Sequence, residues 1–121
     1  ALFTGSEVVA DAALLGGAHG IVPGLANVDP HGYVRLYDHA RAGRWQEARA
    51  EQDRLIRLFQ MVFFAANELS AGASGVGSFK TALKLMGLIQ SHHMGKPNRP
   101  LPPAAVERVR KHLIELNLLG G

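Results

Sequence analysis

Residues 1–24 read ALFTGSEVVADAALLGGAHGIVPG. Leu2-Phe3-Thr4 is a short apolar, β-favouring run that stops at Gly5-Ser6, and Ser6 is a good N-cap, which predicts a helix starting there. Val8, Val9, Ala12, Ala13 and Leu15 put an apolar stripe on residues 7–15, and Gly16-Gly17 ends it in the way glycine ends helices. Gly20-Ile21-Val22-Pro23-Gly24 is a second short strand, bounded by glycines. Strand, helix, strand is a βαβ pattern, and it implies a parallel sheet covered on both faces. Two strands do not make such a sheet, so we expect it to be completed by residues outside these 121 or by other chains.

Beyond residue 24 the pattern turns helical. Asp29 is placed to cap and Pro30 to occupy the first helical position, and Tyr33, Leu36, Tyr37 and Ala40 share one face of the helix that follows. Gly43 breaks it. A long helix over residues 45–67 carries Trp45, Ala48, Leu55, Phe59 and Val62 at three-to-four-residue spacing, with Gln52 interrupting the stripe. Residues 70–78, SAGASGVGS, are glycine-rich enough to predict a loop before a helix at 79–88. A second loop over 89–103 holds four of the six prolines, and the last helix starts near Pro103 with Val106, Val109, Leu113 and Leu116 on one face.

Composition removes several function classes. With no cysteine there is no disulfide framework, thiolate zinc site or cysteine nucleophile, and a cytoplasmic home is the default. No stretch approaches the roughly 20 apolar residues that span a bilayer. Ala1-Leu2-Phe3 lacks both the basic region of a signal peptide and an initiator methionine, which suggests a chain that begins in mid-protein. The net charge of +3 raises the question of an acidic partner. Yet Arg41, Arg44, Arg49, Arg54 and Arg57 alternate with Asp38, Glu47, Glu51 and Asp53, the look of a solvated helix face with offset pairs such as Glu51 to Arg54 and Asp53 to Arg57. A nucleic-acid patch should be single-signed, so none is expected.

No motif supplies catalytic equipment. Gly72 to Thr81 resembles a phosphate loop, but Ser78-Phe79 follows Gly77 where Gly-Lys-Ser/Thr is required, and Gly75-Val76-Gly77 lacks the third glycine of a dinucleotide fingerprint. His92-His93 are adjacent, a spacing that rarely converges on one metal, and read as solvent-facing loop histidines. Asp29-Pro30-His31 reads as a capping device. Trp45, Phe59, Phe63 and Phe64 read as core or interface. Lys80, Lys84, Lys96 and Lys111 read as surface amines, because an imine-forming lysine must be desolvated and rigidly held.

Collinear stretches carry a resemblance. Leu2-Phe3-Thr4-Gly5-Ser6-Glu7, Leu14-Leu15-Gly16-Gly17-Ala18-His19-Gly20-Ile21-Val22-Pro23 and Ala26-Asn27-Val28 resemble strands seven and eight of the dihydrodipicolinate synthase and N-acetylneuraminate lyase family. Residues 42–49 resemble its helical hairpin after the barrel, residues 79–88 its next helix, and Arg99-Pro100-Leu101-Pro102-Pro103 its approach to the last one. The resemblance implies an α/β fold: the last two βα units of a TIM (β/α)₈ barrel in residues 1–42, and a C-terminal helical extension in 43–121. A complete barrel runs to about 250 residues, so the first six strands lie elsewhere.

Barrel active sites sit at the C-terminal ends of strands. By the resemblance, Gly5 and Val22 are the leading substrate-binding candidates, with Ser6 and Pro23 behind them. The family joins pyruvate or a related 2-oxo acid to a lysine on the sixth strand, assisted by a tyrosine from the fifth. Those positions, like the family's carboxylate-binding Thr-Thr element, have no counterpart in this sequence, so no catalytic residue is assigned. The implied chemistry is a class I aldol addition, cleavage or dehydration that unites pyruvate with an aldehyde, needs no cofactor or metal, and is carried out by a homotetramer. Many synthases have acidic residues after the strand-seven glycine and a serine in strand eight, where this chain has Ser6-Glu7 and Pro23. A sialic-acid-type lyase, a sugar-acid aldolase and a dehydratase therefore stay open beside the synthase. The alternative is a non-enzymatic helical interaction module formed by residues 30–121, which would have no use for two parallel strands. An edge strand at residues 2–4 predicts that the isolated polypeptide aggregates.

Overall fold

The parallel pair is present. β1 (Phe3–Thr4) and β2 (Gly20–Ile21) pair with Phe3 opposite Gly20 and Thr4 opposite Ile21. The Phe3 ring lies over Gly20, where a Cβ would meet it at 2.7 Å, so glycine is what lets the ring close on the neighbouring strand. A computed structural model describes residues 1–121 and divides them into two compact units, Ala1–Phe59 and Gln60–Gly121.

In the first unit α1 (Ala10–Leu15) connects the strands. It does not begin at Ser6. The residue before it is Val9, with no side-chain cap, and the Ser6 N–H donates to Thr4 Oγ1 instead. In a helix running from Ser6, the Asp11 N–H would donate to the Glu7 carbonyl. Here the Gln52 side chain takes both groups, Nε2 donating to Glu7 O at 2.9 Å and Oε1 accepting from Asp11 N at 3.2 Å. The buried face of α1 is accordingly Ala10, Asp11 and Leu14, while Val9 and Leu15 of the expected stripe are exposed.

α2 (Pro30–Arg41) follows a single turn of 3₁₀ helix at Gly24–Asn27. Asp29 Oδ1 accepts from the Gly32 N–H at 3.0 Å and Pro30 sits in the first turn, as the sequence predicts. Tyr33, Leu36 and Ala40 are buried along the expected face. Gly43, at φ 73°, turns the chain into α3 (Trp45–Phe59). α3 buries Ala48, Gln52, Leu55 and Leu58. Arg54 joins Asp29 to Glu51, Arg35 reaches Glu51 at 2.9 Å, and Asp53 pairs with Arg49.

α3 stops at Phe59, short of residue 67, and Gln60–Phe63 tighten into 3₁₀ geometry. The cause lies within the second unit, where α4 (Ala71–Leu85) presents Ser74 Oγ to the Val62 carbonyl and Ser78 Oγ to the Met61 carbonyl. The Val62 carbonyl is satisfied by a hydroxyl and the Met61 carbonyl by a hydroxyl and the Phe64 N–H, so neither needs a continuing α-helix. The glycine-rich segment expected as a loop is thus the first half of a helix. Ser70 caps it through Ala73 N, and Gly77 admits Leu101, whose Cδ1 would stand 2.5 Å from a Cβ there. The small residues that weaken helix propensity are the ones that permit this close packing.

α5 (Pro103–Glu115) begins where expected and buries Ala105, Val109 and Leu113, with Val106 and Leu116 only half-buried. Trp45 and Phe63, read as core or interface, are exposed, and Phe64 instead packs under the Arg108 guanidinium at 4.4 Å. No helix is long and apolar enough to cross a membrane.

Candidate functional site

The C-terminal ends of β1 and β2 lie side by side. The last rung between them is Val22 N–H to Thr4 O at 2.8 Å, and a Cβ on Gly5 would stand 3.7 Å from the Val22 carbonyl. Gly5 is exposed and Val22 is 71% accessible, whereas Ser6 is half-buried and Pro23 is buried. Gly5 and Val22 are therefore adjacent on an open edge, with Ser6 following Gly5 and Pro23 turned inward. Pro23 also borders a mostly apolar cleft of about 440 Å³ with Phe3, His19, Ile21, Tyr33 and Tyr37, a lining that excludes the other three candidates.

Three residues that sequence reasoning did not assign to the site hold this edge in place. Glu7 Oε1 accepts from the Gly24 N–H at 3.2 Å, tying the segment after β1 to the segment after β2. The Glu7 carbonyl accepts from Tyr33 Oη at 3.0 Å and from Gln52 Nε2 at 2.9 Å. Burial first, then the charges of Glu7 and Asp29, push the Tyr33 hydroxyl well above its ordinary pKa against the opposing pull of Arg54, so it stays protonated and donates. One sign of Gln52 was visible in the sequence: an amide in the middle of an apolar stripe needs buried partners.

The remaining sequence candidates stand apart from this edge. His92 is half-buried rather than solvent-facing, its Nδ1 3.0 Å from Thr81 Oγ1, and burial, then Lys84, hold its pKa below the ordinary value. Lys80 Nζ donates to the His93 carbonyl. No three His, Asp or Glu side chains stand close enough together to hold a metal ion. At the strand ends the chemistry on offer is backbone carbonyls and amides and the room beside a glycine, which suits binding and shaping more than proton transfer.

The Dihydrodipicolinate synthetase family profile matches residues 1–116. The chain is 34% identical over 119 residues to a 4-hydroxy-tetrahydrodipicolinate synthase of Chlorobium limicola, covering 98% of this chain and 36% of that protein. It is 31% identical to the synthase of the same name from Archaeoglobus fulgidus, covering 91% of this chain and 34% of the relative. Dihydrodipicolinate synthase from Bacteroides thetaiotaomicron superposes with a TM-score of 0.84 at 27% identity, over 93% of this chain and 37% of that one. The Thermotoga maritima enzyme gives 0.80 at 26%, over 97% and 37%. These neighbours have the TIM-barrel fold, and the chain spans little more than a third of the length of the relatives it matches.

Proposed function

Because the chain belongs to the dihydrodipicolinate synthetase family, we propose that it is the C-terminal part of a lyase that handles pyruvate or a related 2-oxo acid as a Schiff base. The observation that carries this reading is the family match across residues 1–116, with relatives named 4-hydroxy-tetrahydrodipicolinate synthase. In this reading residues 1–42 are the last two βα units of the barrel, strands seven and eight, and residues 43–121 are the helical extension. The compact units divide later, after Phe59. Compactness and descent are different criteria, since the first turns of an extension can pack onto the barrel they follow.

The imine would form on a lysine outside these residues, with loss of water, and the protonated imine would draw off the electron pair of the bond made or broken at the neighbouring carbon. Gly5, Ser6, Val22 and Pro23 would border the substrate. Gly5 leaves space where a side chain would stand, the Val22 backbone faces that space, and Pro23 offers no N–H to bind an oxygen. The second substrate would be an aldehyde and the intact protein a cytoplasmic homotetramer working without a cofactor. Ser6-Glu7 and Pro23 leave the acceptor open among the synthase, sialic-acid-type lyase, sugar-acid aldolase and dehydratase activities.

The test is borohydride trapping of the full-length protein with pyruvate, followed by intact mass measurement. One reduced pyruvyl group per chain is expected, and no adduct on a folded preparation would refute the reading. A helical interaction module is disfavoured by the parallel β1–β2 pair, which a helical bundle does not need.

A further inference from the structure

We infer that Gln52 and Tyr33 are positioning residues for the strand-end site: they keep residues 5–9 out of the helix that would otherwise form there, and so fix Gly5 beside Val22. The chemistry assigned to that site rests on the lyase reading above. The geometry stands by itself.

The Gln52 amide is inserted between the Glu7 carbonyl and the Asp11 N–H, the two groups that an α-helix would join directly. It bonds each of them as a peptide group would, from a side chain with no exposed surface. Tyr33, 4% exposed, adds a second donor to the same carbonyl. With its carbonyl doubly occupied, Glu7 is free to extend its carboxylate to the Gly24 N–H, which links the two strand ends a second time beyond the ladder. The donors come from α2 and α3, so two helices that follow both strands in the chain set the backbone between Gly5 and α1.

Removing the donors would return the Glu7 carbonyl to Asp11 N. α1 would then gain most of a turn toward Ser6, withdraw Glu7 from Gly24 and loosen the approach of Gly5 to Val22. Displacements of this order weaken reactions that depend on alignment without unfolding the protein.

The experiment uses the full-length protein and the pyruvate concentration that gives half-maximal borohydride trapping. Tyr33→Phe removes one hydroxyl with little change of shape, and Gln52→Leu removes the amide at similar volume. Each should raise the half-saturating concentration about fivefold, while Ser78→Ala, which deletes a comparable buried hydroxyl-to-carbonyl bond at Met61, should leave it unchanged. Hydrogen exchange across residues 5–11 of Gln52→Leu should report a helix beginning earlier than Ala10. An unchanged half-saturation in folded Tyr33→Phe, an equal shift in Ser78→Ala, or an exchange pattern matching wild type in Gln52→Leu would each overturn the inference. A wild-type protein that traps no pyruvate would instead refute the lyase reading, and exchange would still decide the role of Gln52 in shaping the segment.

Discussion

Arg54 links two helices of the first unit through its charge. Its guanidinium joins Asp29, which caps α2, to Glu51, which Arg35 also holds. Asp29 and Glu51 are largely buried in this arrangement, with side chains only 5% and 14% exposed. Arg54→Ala would leave the Asp29 carboxylate without its counter-charge and Glu51 with Arg35 alone, and because Arg54 itself is partly solvated the expected loss is about 2–3 kcal/mol, below the cost of breaking a fully buried pair. Urea denaturation of wild type and variant measures it. Burial alone would raise the Glu51 pKa, but hydrogen bonds from Arg35 and Arg54 outweigh it and hold the carboxyl below its ordinary 4.5. A depressed folded value means that the pair stabilises the protein above about pH 4.5 and that this contribution is lost as pH falls toward the folded value. Glu51→Gln should therefore be less stable at pH 7 and show a shallower decline between pH 5 and the acid limit.

At the level of elements, α4 runs against its own propensity. Its glycines are not equivalent. A Cβ on Gly75 would rest 3.9 Å from Val62 Cβ, an ordinary contact, so Gly75→Ala should stabilise by about 0.5–1 kcal/mol through reduced freedom of the unfolded chain. A Cβ on Gly77 would meet buried Leu101, so Gly77→Ala should destabilise by about 1–3 kcal/mol despite the same gain in propensity. Opposite shifts of the thermal midpoint for two glycine-to-alanine changes in one helix test the assignment of residues 71–78 as helix. Shifts of equal sign would contradict it.

On the scale of the whole molecule, the sheet is the unfinished part. β1 and β2 have two residues each, and around them Leu2, Phe3, Val9, Leu15 and Val22 are all exposed, with Phe3 at 59%. So much uncovered apolar surface beside unpaired strand edges favours association. The 121-residue polypeptide expressed alone should sediment as concentration-dependent oligomers or aggregates. A monomer with a single cooperative melt would mean that these residues bury enough by themselves.

Asp29-Pro30, Gly43 and Pro103 mark helix boundaries that follow from local chemistry, and the sequence locates them because a cap or a breaker acts within a few residues of itself. The order β1, α1, β2 is legible for the same reason, and the family resemblance follows from collinear residues. The resemblance points to Gly5 and Val22, and the fold sets them side by side. What the sequence alone does not determine depends on partners far along the chain. α1 starts at Ala10 because Gln52, more than 40 residues away, occupies the bonds an earlier start would use. α3 ends at Phe59 and residues 71–78 are helical despite their glycines because Ser74 and Ser78 meet the carbonyls of Val62 and Met61. Propensity differences amount to less than about 1 kcal/mol per residue, and a buried carbonyl or amide left without a partner costs more than that, so the tertiary hydrogen bonds set those boundaries.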